Sequence, residues 1–157
     1  MTSHHYTTTV RWTGNQGTGT ASYRGYSRSH DIEADGRPVL AASSDPAFRG
    51  EADRWNPELL FVAALSECHL LQYLHLCAVA GVVVVGYEDT AGGTMEMTPD
   101  GGGAFTEVVL RPVVTVADPD MVDEATKLHE RAHELCFLAS SVRMPVRHEP
   151  TVTVAAG

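Results

Sequence analysis

Asn56-Pro57-Glu58-Leu59-Leu60-Phe61-Val62-Ala63-Ala64-Leu65-Ser66-Glu67-Cys68-His69-Leu70-Leu71-Gln72-Tyr73-Leu74-His75-Leu76-Cys77-Ala78-Val79-Ala80-Gly81 carries the strongest helix signal in the chain. Asn56 can accept a first-turn amide, Pro57 has no amide to leave unpaired, and Glu58 places a negative charge at the positive end of the helix dipole. Gly81 supplies the stop. Between these ends the helix is apolar nearly all round, which predicts burial on most of its faces. One sheet from so short a chain would struggle to cover all of it, so a second copy is expected to help.

Working outward, the preceding residues are rich in β-branched, aromatic and turn types. Tyr6 to Trp12 alternates, Gly14 to Gly19 marks a turn, and Thr20 to Ile32 is expected to return as a strand. Asp35-Gly36 turns again before Pro38-Val39-Leu40, and Ser43 to Arg54 reads as a loop. After the helix, Val82 to Met97 reads as strand, Pro99 to Gly103 as a hairpin turn and Ala104 to Val116 as the returning strand. Asp118-Pro119 opens a second helix running to about Cys136, and Pro145 to Val154 is a last strand. The order β-β-β-α-β-β-α-β predicts an α+β domain over 1–157, with antiparallel sheets packed around a buried central helix. Its parts are an N-terminal β region (1–55), the central helix (56–81), a hairpin (82–117), a second helix (118–136) and a final strand (144–155).

Composition narrows the function. Hydrophobic residues at 43% with 20% charged residues argue against a disordered chain. A formal charge of -9 disfavours nucleic acid and anionic membrane surfaces as partners. No apolar run approaches the ~18–20 residues of a membrane span. Met1-Thr2-Ser3-His4-His5-Tyr6 is neither basic nor apolar, so a secretion signal is not expected and the cytoplasm is. There, Cys68, Cys77 and Cys136 should rest as thiols.

Cys68 and Cys77 are nine positions apart, half a revolution and roughly 13 Å along one helix, and cannot bond to each other. A redox pair would therefore need Cys136 with either of them; the bland alternative is a set of small core residues. His129, His133 and Cys136 share a helical face, and with His69 or Cys68 they could form a zinc tetrahedron. A reactive thiolate needs a nearby cation, and Arg24, Arg28, Arg49, Arg54 and Arg111 are candidates. Glu58 lies roughly 15 Å from Cys68 along the helix, so a part for it in a site at Cys68 runs through a partner subunit or an arginine.

Asn56-Pro57-Glu58-Leu59-Leu60, Ala63-Ala64-Leu65 and Cys68-His69 together resemble the central-helix signature of the OsmC/Ohr family, the osmotically induced and organic-hydroperoxide-resistance proteins. Leu110-Arg111-Pro112 resembles the family's strand, and His133 to Val142 resembles its second-cysteine segment, so the likeness spans essentially the whole chain. Cys-His in place of the commoner Cys-Phe is nearer the general OsmC-like branch. The resemblance implies an OsmC-like fold, an intertwined homodimer with sites at the subunit interface, and a thiol-dependent peroxidase without a cofactor. Its substrates would be organic hydroperoxides or hydrogen peroxide, and its reductant a small or protein-bound dithiol. Cys68 would be the peroxidatic thiolate, Cys136 the resolving thiol, and Glu58 the carboxylate that holds a catalytic arginine; Cys77 would be a packing residue. The family's arginine sits near the first strand turn, where this chain has Asn15-Gln16, and Arg28 is preferred to Arg24 as its replacement. The competing expectation is a non-catalytic protein that binds a small apolar ligand at the dimer interface.

Overall fold

The long helix starts and stops where its end residues dictate. In the computed structural model, which describes all residues Met1–Gly157, α1 spans Pro57–Ala80. The Asn56 side chain accepts the Leu59 amide at 2.9 Å. At the other end Gly81 adopts a φ of 76°, while its amide reaches Ala78 O and the Val82 amide reaches Cys77 O. That double closure is the Schellman arrangement, which needs a residue without Cβ strain at the left-handed position.

The N-terminal unit, Met1–Leu60, carries an antiparallel sheet of β1 (Thr9–Trp12), β2 (His30–Glu33) and β3 (Leu40–Ala42) in that order. The strand expected over Thr20 to Ile32 is confined to its last residues. Local turns take the rest, with Ala21 bonded to Thr18 O and Gly25 to Ser22 O. Gly14 lets this loop close: a Cβ there would sit 1.9 Å from Ser27 O. The loop after β3 is tied by Glu51, whose carboxylate accepts the hydroxyls of Ser27 and Ser43.

The C-terminal unit, Phe61–Gly157, contains β4 (Val84–Asp89), β5 (Gly92–Met97), β6 (Gly103–Leu110), β7 (Pro112–Val116), α2 (Val122–Leu135), β8 (Val146–His148) and β9 (Thr151–Val154). The expected hairpin is present but bent into two pairs, β5 with β6 at its tip and β4 with β7 at its base. Asp89 holds the bend, accepting the Arg111 amide at 2.6 Å and the Ser66 hydroxyl of α1 at 2.5 Å. The last strand is likewise two, broken at Glu149-Pro150. Both pieces pair in parallel, β8 with β6 and β9 with β7, so the sheets are mixed where antiparallel ones were expected. α2 causes this: it carries the chain back, so the final segment runs in the direction of β6 and β7.

Two apolar clusters hold this unit. Tyr73, Cys77, Val82, Val114, Val116, Ala125 and Ala132 form one, and Leu65, Val108, Leu110 and Val146 the other. From α1 the fully buried residues are Leu65, His69, Tyr73 and Cys77, four steps apart along a single stripe. Burial on most faces is therefore corrected: Leu71 is 65% and Val79 74% exposed. The chain supplies packing partners for only part of the helix surface. The membrane-length reading also needs correction. With 24 residues and a mean hydropathy of 1.3, α1 is long and apolar enough to cross a membrane by those two measures, because the average absorbs the polar interruptions at His69, Gln72 and His75.

Candidate functional site

α1 and α2 meet along a seam that is polar where a core seam is usually aliphatic. Cys68 stands half-buried on α1, beside the stripe of Leu65, His69 and Tyr73. Cys136 caps the C-terminus of α2 with extended backbone, its amide bonded to His133 O at 3.2 Å. All three cysteines are free thiols, and Cys136 is 2% exposed. The Cys68 thiol lies near enough to Cys136 to influence its ionisation.

Burial pushes the Cys136 thiol up; the Ala139 amide opposes this, the neighbouring Cys68 adds to it, and the Leu138 amide again opposes it. Those amides belong to the turn that follows, where Ser140 N bonds Cys136 O at 3.1 Å. Cys136 is thus a protonated thiol near a more accessible one. Cys77 is different. It is buried, raised first by desolvation, and its thiol interacts with Tyr73.

The next layer of the seam is histidine. His69 Nε2 and His129 Nδ1 share a hydrogen bond of 3.0 Å, and both residues are 1% exposed. Tyr73 stacks on His129 at 3.9 Å between centroids and donates its hydroxyl to Ala125 O at 2.8 Å. Burial first, then the imidazoles around them, lower His69 to about 4 and His129 to about 3, so both rings are neutral at pH 7. His148 packs beside the pair and reaches the exposed Glu130 at 3.2 Å. These rings stack and bond to one another instead of converging. No three His, Cys, Asp or Glu side chains are arranged to hold a metal ion, which corrects the zinc reading of His129, His133 and Cys136 with His69 or Cys68.

The other expected residues lie in the N-terminal unit. Glu58 sits in the first turn of α1, and its Oε2 is buried without a hydrogen-bond partner. Arg28 donates to Tyr26 O at 2.6 Å and Tyr23 O at 2.7 Å, with its guanidinium 3.9 Å from the Tyr26 ring centroid. The structure thus brings Cys68 and Cys136 together and does not pair Arg28 with Glu58. Of the other arginines, Arg111 pairs with Glu149 at 3.5 Å and Arg49 lies 5.8 Å from the Tyr23 ring. Sequence reasoning missed the His69–His129 bond. Its one signal was that His69 continues the four-residue step of Leu65, Tyr73 and Cys77, a position an apolar side chain would normally fill.

An α+β fold with one free cysteine on its central helix and another at the C-terminus of the second helix is what the chain presents. The chain belongs to the OsmC-like protein family, whose model matches residues 50–151. An OsmC-like protein of unknown function from Vibrio cholerae is 32% identical over 94% of this chain and 99% of its own, with a TM-score of 0.84. Two organic hydroperoxide resistance proteins share the fold at lower identity. The one from Elizabethkingia anophelis is 21% identical, covering 98% of this chain and 99% of that one, with a TM-score of 0.70. The one from Legionella pneumophila is 24% identical, covering 96% and 99%, with a TM-score of 0.67. No curated protein matches the chain.

Proposed function

We propose that this protein is a thiol-dependent peroxidase that reduces organic hydroperoxides through Cys68, with Cys136 as the resolving thiol. The observation that carries this reading is that Cys68, a half-buried free thiol on α1, lies near enough to the buried Cys136 thiol at the end of α2 to help push it up. Cys68, as thiolate, attacks the terminal peroxide oxygen. The O–O bond breaks, the alkoxide takes a proton and leaves as an alcohol, and Cys68 is left as a sulfenic acid. The Cys136 sulfur then attacks the Cys68 sulfur, water departs and a disulfide forms. An external dithiol reduces that disulfide by exchange, which restores both thiols. Cys136 sits next to its target, so the second step is intramolecular and favoured over further oxidation.

Glu58 supports the same reading. A buried carboxylate oxygen without a partner is costly, and a guanidinium is the group that relieves it. Arg28 is the proposed partner, which would require it to leave the Tyr23 and Tyr26 carbonyls. A second copy of the chain is proposed to cover the outer face of α1, where Leu71, Leu74 and Val79 are exposed. Turnover of an alkyl hydroperoxide with excess dithiol is the test. Wild type should turn over and Cys68→Ser should not; equal rates in the two would refute the proposal.

A further inference from the structure

The thiol pair and the histidine pair are consecutive layers of one seam. Cys68 and His69 are adjacent on α1. Facing them, α2 presents His129 and, two turns later, Cys136 at its C-terminus. The setting of α1 against α2 at the thiols therefore depends on what joins the helices one layer below. There the joint nearest the thiols is a 3.0 Å bond between two buried imidazoles, followed one turn on by the Tyr73 hydroxyl bond to Ala125 O. The remaining ring nitrogen of His129, Nε2, is buried without a partner, so this ring is tied only at Nδ1. A Leu–Leu contact in this position would fix distance but not direction. A hydrogen bond fixes both, since its strength falls steeply with misalignment.

We propose that the His69–His129 bond is a positioning device that holds the Cys68 and Cys136 sulfurs in register, and that charging this pair in acid loosens the register and disfavours their disulfide. The inference rests on the reading of Cys68 and Cys136 as a working pair. His69 and His129 are positioning residues, since they act through the thiols. A proton on the pair removes the acceptor lone pair and leaves a cation among groups poorly placed to receive it. From α1 that surface presents Tyr73; from α2, His133 and Glu130; from β8, His148. Glu130 is exposed and already engaged by His148, so no free buried carboxylate faces the pair.

The experiment measures the equilibrium constant for the Cys68–Cys136 disulfide in glutathione buffers on the full chain. Thiol trapping and mass spectrometry give the populations, and a selenol catalyst brings the exchange to equilibrium. In that reaction the two protein thiols give up two electrons and two protons to oxidised glutathione, which becomes two molecules of the thiol. In His129→Leu the constant should fall about tenfold at pH 7, the scale of effect that a small misplacement of reacting atoms produces. His69→Gln/His129→Asn retains a neutral amide–amide bond near the same atoms. It should stay within about threefold of wild type at pH 7, well inside the loss that misplacement brings.

Between pH 7 and pH 4 the wild-type constant should fall about twofold, and that fall should vanish in the double amide variant, which still carries His133, His148 and Glu130. A folded His129→Leu with the wild-type constant overturns the proposal. So does an acid-induced fall that persists in the double amide variant, which decides the matter if His129→Leu does not fold. Absence of a Cys68–Cys136 disulfide in wild type at every buffer ratio overturns it as well. No peroxide enters this measurement, so a wild type that forms the disulfide but ignores alkyl hydroperoxide refutes the peroxidase reading and leaves this one standing.

Discussion

Toward α2, the central helix buries His69, Tyr73 and Cys77 and sets Cys68 beside Cys136; on its outer side it leaves Leu71, Leu74 and Val79 in solvent. The usual distribution is the reverse, with polar groups outside and aliphatic ones within. The inner face is tolerated because its polar groups bond to one another or to backbone, imidazole to imidazole and Tyr73 hydroxyl to Ala125 O. The outer face has no such account within one chain, and a second copy is the surface proposed to cover it. One helix thus carries a face suited to chemistry and a face suited to association.

The two faces should differ most at the thiols. In Cys136→Ser, one peroxide should still be consumed per chain while steady-state turnover with a dithiol falls about 100-fold, the loss expected when an intramolecular partner is removed. Equal turnover in stopped-flow and steady-state assays of variant and wild type would detach Cys136 from the site.

Next comes the packing beneath them. Leu65 is 1% exposed and joins Val108, Leu110 and Val146. Leu65→Ala should therefore cost about 3 kcal/mol in urea unfolding, the ordinary range for a buried leucine.

Acid probes the imidazoles. His69 is held at about 4 when folded and rises toward an ordinary value of ~6.5 when unfolded. The unfolded chain thus binds the extra proton, so stability is intact above pH 6.5 and declines as pH falls toward 4. Between pH 7 and pH 5 the loss from His69 alone should be on the order of 2 kcal/mol, with a similar contribution from His129, read as a lower urea midpoint. A midpoint that holds steady over this interval would mean the pair is not buried and neutral.

Tyr73→Phe should cost about 1 kcal/mol, the net worth of its hydroxyl bond to Ala125 O. Smallest in effect on the isolated fold is Leu71→Ser on the outer side. There stability at the monomer level should change by about 0.5 kcal/mol or less. Light scattering should show a shift toward monomer; an unchanged mass would remove this face from any dimer.

The parts of the molecule that were legible in sequence are those specified locally. Asn56, Pro57, Glu58 and Gly81 mark both ends of α1 because caps act within a few residues. The α+β order was legible too. The bend at Asp89 was not, since it depends on Ser66 and the Arg111 amide, both remote in sequence. Parallel pairing of β8 and β9 follows from the path of α2, which no local pattern encodes. The buried stripe of α1 was hidden because apolar residues occur all around the helix and leave no periodic contrast to read.

At the site, spacing excluded Cys68 with Cys77 but left the partner of Cys136 open; the family resemblance pointed to Cys68. The structure sets Cys68 near Cys136 and packs Cys77 in one cluster with Tyr73. His69 and His129 are 60 positions apart, and neither carries a signal that it bonds the other.

Mapping cysteines after one equivalent of an alkyl hydroperoxide is the most direct measurement. The expected result is one alcohol released per Cys68–Cys136 disulfide formed, with Cys77 recovered as a free thiol. Peroxide consumption with no such disulfide, or with Cys77 in it, would contradict the dithiol seam as the reactive centre.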